Sequence, residues 1–178
     1  IGFPNKEVEL ALLSYVIPKY VSKKYSDDLG YAIEKIRDAL ISENTEKLMS
    51  ILTSLVADIP TILQKDESEN YFETIVHVML RLTGYEVISE WQNPIGRSDV
   101  VIKTSHSVYI FELKMDNGQT DINALYEEAF KQIEDKQYAV RFEATGLPIH
   151  KVAIVFSSEG KGIVGYMKKD ELLHVLTT

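Results

Sequence analysis

Residues 96–116 read GRSDVVIKTSHSVYIFELKMD, and the fold turns on how the two halves of this stretch pair. DVVIK (99–103) and VYIFELK (108–114) are short runs rich in β-branched and aromatic residues, the composition of strands. TSHS (104–107) lies between them and is the expected turn. A two-residue loop at Ser105-His106 and a four-residue loop at Thr104–Ser107 give the same register. Lys103 then faces Val108, Val101 faces Ile110, and Asp99 faces Glu112. Opposed residues of an antiparallel pair point to one face with Cβ atoms ~4.5 to 5.5 Å apart. Lys114 lies two residues beyond Glu112 and shares that face. A loop of odd length would turn Glu112 to the other side of the sheet.

Like charges directly opposed on a sheet cost up to ~1 kcal/mol when wet, and more as burial increases. The arrangement becomes tolerable when a divalent cation sits between the carboxylates. A site made of oxygen ligands with waters completing the shell suits Mg²⁺, or Mn²⁺ in its place. A lysine beside such an ion can hold and help deprotonate a water, or stabilise charge developing on a phosphate. Asp99, Glu112 and Lys114 therefore suit phosphodiester hydrolysis. The plainer alternative is a solvated strand tip at which ELK forms an ordinary salt bridge.

The surrounding chain supplies a mixed α/β context. Helical spacing predicts helices in NKEVELALLSYVIPKY (5–20), in DDLGYAIEKIRDAL (27–40) with Asp27 or Asp28 as cap, and in TEKLMSILTSLV (45–56). Pro60 closes this helical region, residues 1–60. A fourth helix is expected in DESENYFETIVHVMLRLTG (66–84). Its apolar stripe is Phe72, Ile75, Val76, Met79 and Leu82, and Gly84 stands at the helix stop. Glu69, Glu73 and His77 fall on one flank of that stripe. From residue 85 the period shortens to that of strands: YEVISEW, SDVVIK and VYIFELK in succession. DINALYEEAFKQIEDKQYAV (121–140) then predicts a single helix with Ile122, Leu125, Ala129 and Ile133 inward. KVAIVFSS (151–158) reads as a strand buried on both faces, and GKGIVGYMKK (160–169) as one more strand after a glycine turn. The order is helix, three strands, helix, two strands, a mixed sheet flanked by helices over residues 61–178.

Composition narrows the function classes. The 178 residues contain no cysteine, which excludes disulfides, thiolate zinc sites and cysteine nucleophiles, and fits a reducing, cytoplasmic setting. No apolar run approaches the ~18 to 20 residues of a membrane span, and no signal-peptide pattern opens the chain. The first residue is Ile1 and not Met, which predicts a piece of a longer protein. Net charge is −8, which argues against a basic coat for nucleic acid. The excess is uneven: residues 1–90 hold 9 Lys/Arg against 15 Asp/Glu, and residues 91–178 hold 10 against 12. A cation on Asp99 and Glu112 would balance the second half. The four histidines are scattered and form no zinc spacing, and no GxxxxGK[ST] is present for a P-loop.

The acid of GRSDVVI, the ELK of YIFELK and the order of elements together resemble the PD-(D/E)XK nuclease superfamily. Its signature is an acid on one core strand and (D/E)-x-K on the next, within an α-β-β-β-α-β core. Ser98 stands where the family name has proline. The segments GFPNKEVELALLSYV and AFKQIEDKQYA further resemble the C-terminal nuclease-like domain found behind AAA-ATPase-like modules in many bacterial proteins. The resemblance implies a restriction-endonuclease-like fold and a Mg²⁺- or Mn²⁺-dependent nuclease, with DNA a more natural substrate than RNA. It also implies an N-terminal ATPase-like region of the same chain as partner. Asp99 and Glu112 would bind the metal, with Glu73, or Glu69 in its place, completing the ligands from the first core helix. Relatives often have histidine where Glu73 stands. Lys114 would position the attacking water, and Gln132 matches the family's recurring helix glutamine. Arg97 and Lys136 would contact the nucleic-acid backbone. The competing expectation is a module that keeps the fold without catalysis and binds nucleic acid or a protein partner. A further one makes the helices of residues 1–60 a docking surface for the ATPase-like region.

Overall fold

The computed structural model describes residues 29–57, 69–89, 100–137, 139–157 and 162–171. The expected helix at 5–20, Asp27 and Asp28, Pro60, Arg97 and Asp99 lie outside the described residues, as does the side chain of Glu69.

Helices α1 (Leu29–Ile41) and α2 (Thr45–Ala57) form a hairpin. Its corner is closed by backbone bonds from Ser42 N–H to the Asp38 carbonyl and from Asn44 N–H to the Ala39 carbonyl, both 2.9 Å. Asn44 Oδ1 then accepts from Lys47 N–H at 2.9 Å and so caps α2. Helix α3 (Glu69–Leu82) buries Phe72, Val76, Met79, Leu80 and Leu82, close to the stripe its spacing predicts. It stops at Gly84, whose φ of 79° is open to glycine without a Cβ clash, as expected.

Five strands follow: β1 (Glu86–Ser89), β2 (Val100–Lys103), β3 (Val108–Asp116), β4 (Ile149–Ser157) and β5 (Ile163–Glu171), ordered β1-β2-β3-β4-β5 in one sheet. The β3–β4 pair is parallel and the other three pairs are antiparallel. A parallel pair needs a crossover, and α4 (Ile122–Asp135) with a four-residue helix α5 (Val140–Glu143) provides it. The run of elements from α3 to β4 is therefore α-β-β-β-α-β, with α5 as an extra turn, and β5 closes the edge.

The alternation of β3 divides the core in two. Tyr109, Phe111 and Leu113, with Val152, Ile154 and Phe156 of β4, pack against side chains of α1, α2 and α3. Phe72 stacks on Phe156 with ring centroids 4.3 Å apart. On the opposite face Val108, Ile110, Ala153 and Val155 pack against Leu125, Tyr126, Ala129, Phe130 and Ile133 of α4. All nine residues of β4 are buried, the double-sided burial its sequence predicts.

One sequence expectation is corrected. The helix expected over 121–140 ends at Asp135. Lys136 is its C-cap, with backbone N–H bonded to the Gln132 and Glu134 carbonyls, and Gln137 adopts φ of 53°. That left-handed residue turns the chain before α5, whereas the helical spacing of the sequence runs on across it. No helix among the described residues is long and apolar enough to cross a membrane.

Candidate active site

The β2–β3 hairpin has the register its sequence predicts: Lys103 pairs with Val108, Ile102 with Tyr109, Val101 with Ile110 and Val100 with Phe111. Its turn is organised by Thr104. The Thr104 N–H donates to the Ser107 carbonyl at 2.9 Å. The Thr104 hydroxyl oxygen accepts from the His106 and Ser107 N–H groups at 3.1 and 2.9 Å and donates to the Ser107 carbonyl at 3.0 Å. With this even loop Val101, Val108 and Ile110 enter the core beneath α4. Glu112 and Lys114 continue the even series of β3, so strand alternation sends both toward the same helix.

Glu112 is fully buried (0 % exposed) and Lys114 nearly so. Charges this deep need charged or hydrogen-bonding partners. Lys114 Nζ donates to Gln132 Oε1 at 2.5 Å and lies 3.4 Å from Glu128 Oε1 and 3.9 Å from Glu112 Oε1. Lys136 Nζ lies 3.5 Å from the same Glu112 oxygen. Glu128, Gln132 and Lys136 stand at i, i+4 and i+8, so one stripe of α4 carries an acid, an amide and a base past two residues of β3. The stripe is offset from the apolar face formed by Leu125, Tyr126, Ala129 and Ile133, which seats the helix on the sheet. Asp121 fixes the start of the helix, its carboxylate accepting from Asn123 N–H at 3.1 Å.

Of the residues singled out from sequence, the structure brings together Glu112, Lys114, Gln132 and Lys136. Lys136, expected to contact a nucleic-acid backbone, has its ammonium 3.5 Å from Glu112 Oε1, with 15 % of its side chain exposed. Glu73 is buried on α3, a helix whose apolar side chains pack on the opposite face of the sheet from α4. Glu128 was missed, and so was the partnership of Lys136 with Glu112. Their signal was present in the four-residue spacing of Glu128, Gln132 and Lys136, a polar line beside an apolar stripe.

The oxygen donors of this cluster, Glu112, Glu128 and the Gln132 amide, are of the hard type that divalent Mg²⁺ or Mn²⁺ prefers. Among the described residues no group of three or more His, Asp or Glu side chains is gathered for a metal.

Comparison with known proteins adds the following. A sequence profile of the PD-(D/E)XK nuclease superfamily matches residues 67–165, from α3 into β5. The chain is also 25 % identical over 171 residues to a protein of Azotobacter chroococcum mcd 1 described as "Uncharacterized protein in vnfD 5'region". That match takes in 94 % of this chain and 32 % of the relative, so the chain spans about a third of the relative's length.

Proposed function

The chain belongs to the PD-(D/E)XK nuclease superfamily, and on that premise we propose that it is the metal-dependent nuclease domain of a larger protein, hydrolysing phosphodiester bonds of nucleic acid, DNA ahead of RNA. The observation that carries the proposal is the pairing of a buried carboxylate and a buried ammonium, Glu112 and Lys114, on one face of β3. Asp99 lies outside the described residues; the observed Val100–Phe111 pair supports the proposal that the next step of the register would put Asp99 opposite Glu112. Asp99 is the proposed second carboxylate of the metal site; Glu73, or Glu69, is the contribution that the resemblance proposes from α3, a helix whose apolar side chains pack on the other face of the sheet from α4.

The residues fit such an ion in their chemistry. A carboxylate with no exposure is costly to bury unless cations approach it, and the other possible ligands of the cluster, the Glu128 carboxylate and the Gln132 amide, offer oxygen. A divalent ion bound there supplies positive charge for the phosphate and acidifies a water. Lys114 does the rest from the protein side. Its ammonium is held by the Gln132 amide oxygen in a fixed position, from which it can orient a water or neutralise charge on a phosphate oxygen. Gln132 accordingly acts by placing Lys114. The length of the Azotobacter relative supports the further proposal that additional regions belong to the whole protein; that one of them is ATPase-like is proposed from the resemblance of GFPNKEVELALLSYV and AFKQIEDKQYA alone.

The test is cleavage of linear duplex DNA, single-stranded DNA and RNA with Mg²⁺ or Mn²⁺, comparing the unaltered protein with Asp99→Ala and Lys114→Ala. Metal-dependent cleavage abolished in both variants is the expected result. Cleavage unchanged in both variants, or no cleavage of any of the substrates, overturns it.

A further inference from the structure

Two ammonium groups approach the same oxygen of Glu112, Oε1, and they are not equivalent. Lys114 is shared among three acceptors: its Nζ is 2.5 Å from Gln132 Oε1, 3.4 Å from Glu128 Oε1 and 3.9 Å from Glu112 Oε1. Lys136 makes the closer approach, at 3.5 Å. Its position explains why it can. As C-cap of α4 it stands where the helix dipole favours a cation, and its backbone is fixed by bonds to the Gln132 and Glu134 carbonyls. Its side chain, 15 % exposed, keeps an open side, while the Glu112 carboxylate has none.

Resting on the proposed metal site, we infer that Lys136 is the resident counter-ion of Glu112 and gives up the carboxylate to the divalent ion. In the metal-free protein Lys136 compensates a buried charge that would otherwise destabilise the fold. In the metal-bound protein that charge is already compensated, and the ammonium is repelled toward its open side. Lys136 then competes with the metal and sets its affinity. It is a positioning residue, acting through Glu112 on what that carboxylate holds. The same exchange places a freed ammonium beside the site only when metal is present, where a phosphate of the substrate can take it up.

Lys136→Met keeps the length and apolar stem of the side chain and removes the charge. In EDTA the variant is expected to melt roughly 5 to 10 °C below the unaltered protein, from the loss of the nearer of the two ammonium groups beside a buried carboxylate. Saturating Mn²⁺ should close most of that gap. Calorimetric titration with Mn²⁺ should show about tenfold tighter binding by Lys136→Met, since the competing charge is gone. Lys136→Arg should restore both values toward those of the unaltered protein. In a Glu112→Gln background the Lys136→Met penalty in EDTA should vanish. Equal melting temperatures of Lys136→Met and the unaltered protein in EDTA overturn the inference, as does unchanged or weaker Mn²⁺ binding by the variant. If the unaltered protein binds no Mn²⁺, the metal-site reading falls and the exchange with it. The melting-temperature cycle with Glu112→Gln then still decides whether Lys136 is the counter-ion.

Discussion

Replacing Gln132 by leucine removes, among the described residues, the one side-chain oxygen hydrogen-bonded to Lys114. Lys114 Nζ has Gln132 Oε1 at 2.5 Å, while its carboxylate neighbours are at 3.4 and 3.9 Å. The nearer of these, Glu128, has a side chain 63 % exposed, and an ion pair so open to water contributes ~0–1 kcal/mol. A hydrogen bond from a charged donor contributes about 1.5–3 kcal/mol, so Gln132→Leu is expected to lower stability by about that amount. Because the loss comes from one pair, it should depend on Lys114. In urea unfolding at fixed EDTA, the double-mutant cycle of Gln132→Leu with Lys114→Met should give a coupling of ~1–3 kcal/mol, with m unchanged. The same substitution should reduce kcat by about 10- to 100-fold with KM little altered, since a loosened Lys114 weakens the transition state more than ground-state binding. A coupling below ~0.5 kcal/mol would show that Gln132 does not hold Lys114, and the positional role assigned to it would be lost.

Three other outcomes follow from the fold. Thr104→Val keeps the shape of a buried side chain and deletes the hydroxyl that serves the His106 and Ser107 amides and the Ser107 carbonyl. A fall in Tm of roughly 2–8 °C is expected by calorimetry, and an unchanged Tm would mean that the turn does not depend on this hydroxyl. Gly165→Ala would set a Cβ against the Tyr126 hydroxyl and 2.9 Å from Ile122 Cδ1, costing about 1–3 kcal/mol. Tyr126→Phe in that background should recover part of the loss, and no recovery would place the clash elsewhere. Burial raises the pKa of the Tyr126 phenol above its usual value, so the folded state holds that proton more tightly than the unfolded state. The associated stability is fully present below about pH 10 and is lost as pH rises through the folded-state value. Absorbance titration of the folded protein should show a late phenolate component that is absent from Tyr126→Phe.

Much of the fold was legible because burial leaves a period in the sequence. The β2–β3 register followed from an even-length turn and from alternation, and it is the one observed. The double-sided burial of β4 followed from its unbroken apolar run. What was not legible depends on long-range contact. The end of α4 at Asp135 is set by Gln137 in a left-handed conformation, a residue type that gives weaker notice of such a turn than glycine. Lys136 reads as a surface lysine until the turn directs it at Glu112, 24 positions earlier in the chain. Glu128 reads as a solvated helix acid, and only the seating of α4 on β3 brings it to Lys114. Glu112 and Lys114 were identified because strand alternation sets them on one face of β3, a geometric statement that needs no knowledge of their partners, whereas Gln132 was identified through the resemblance to the family.

The proposed metal site requires that the β2–β3 hairpin bring two carboxylates, Asp99 and Glu112, to one divalent ion. Crystals grown without divalent metal and soaked in Mn²⁺, measured above the manganese absorption edge, test this directly. The expected result is an anomalous peak bonded to both Asp99 and Glu112, with the Lys136 ammonium displaced from Glu112. A protein saturated with Mn²⁺ elsewhere, with no peak on these two side chains or with Asp99 on the opposite face of the sheet, would contradict it.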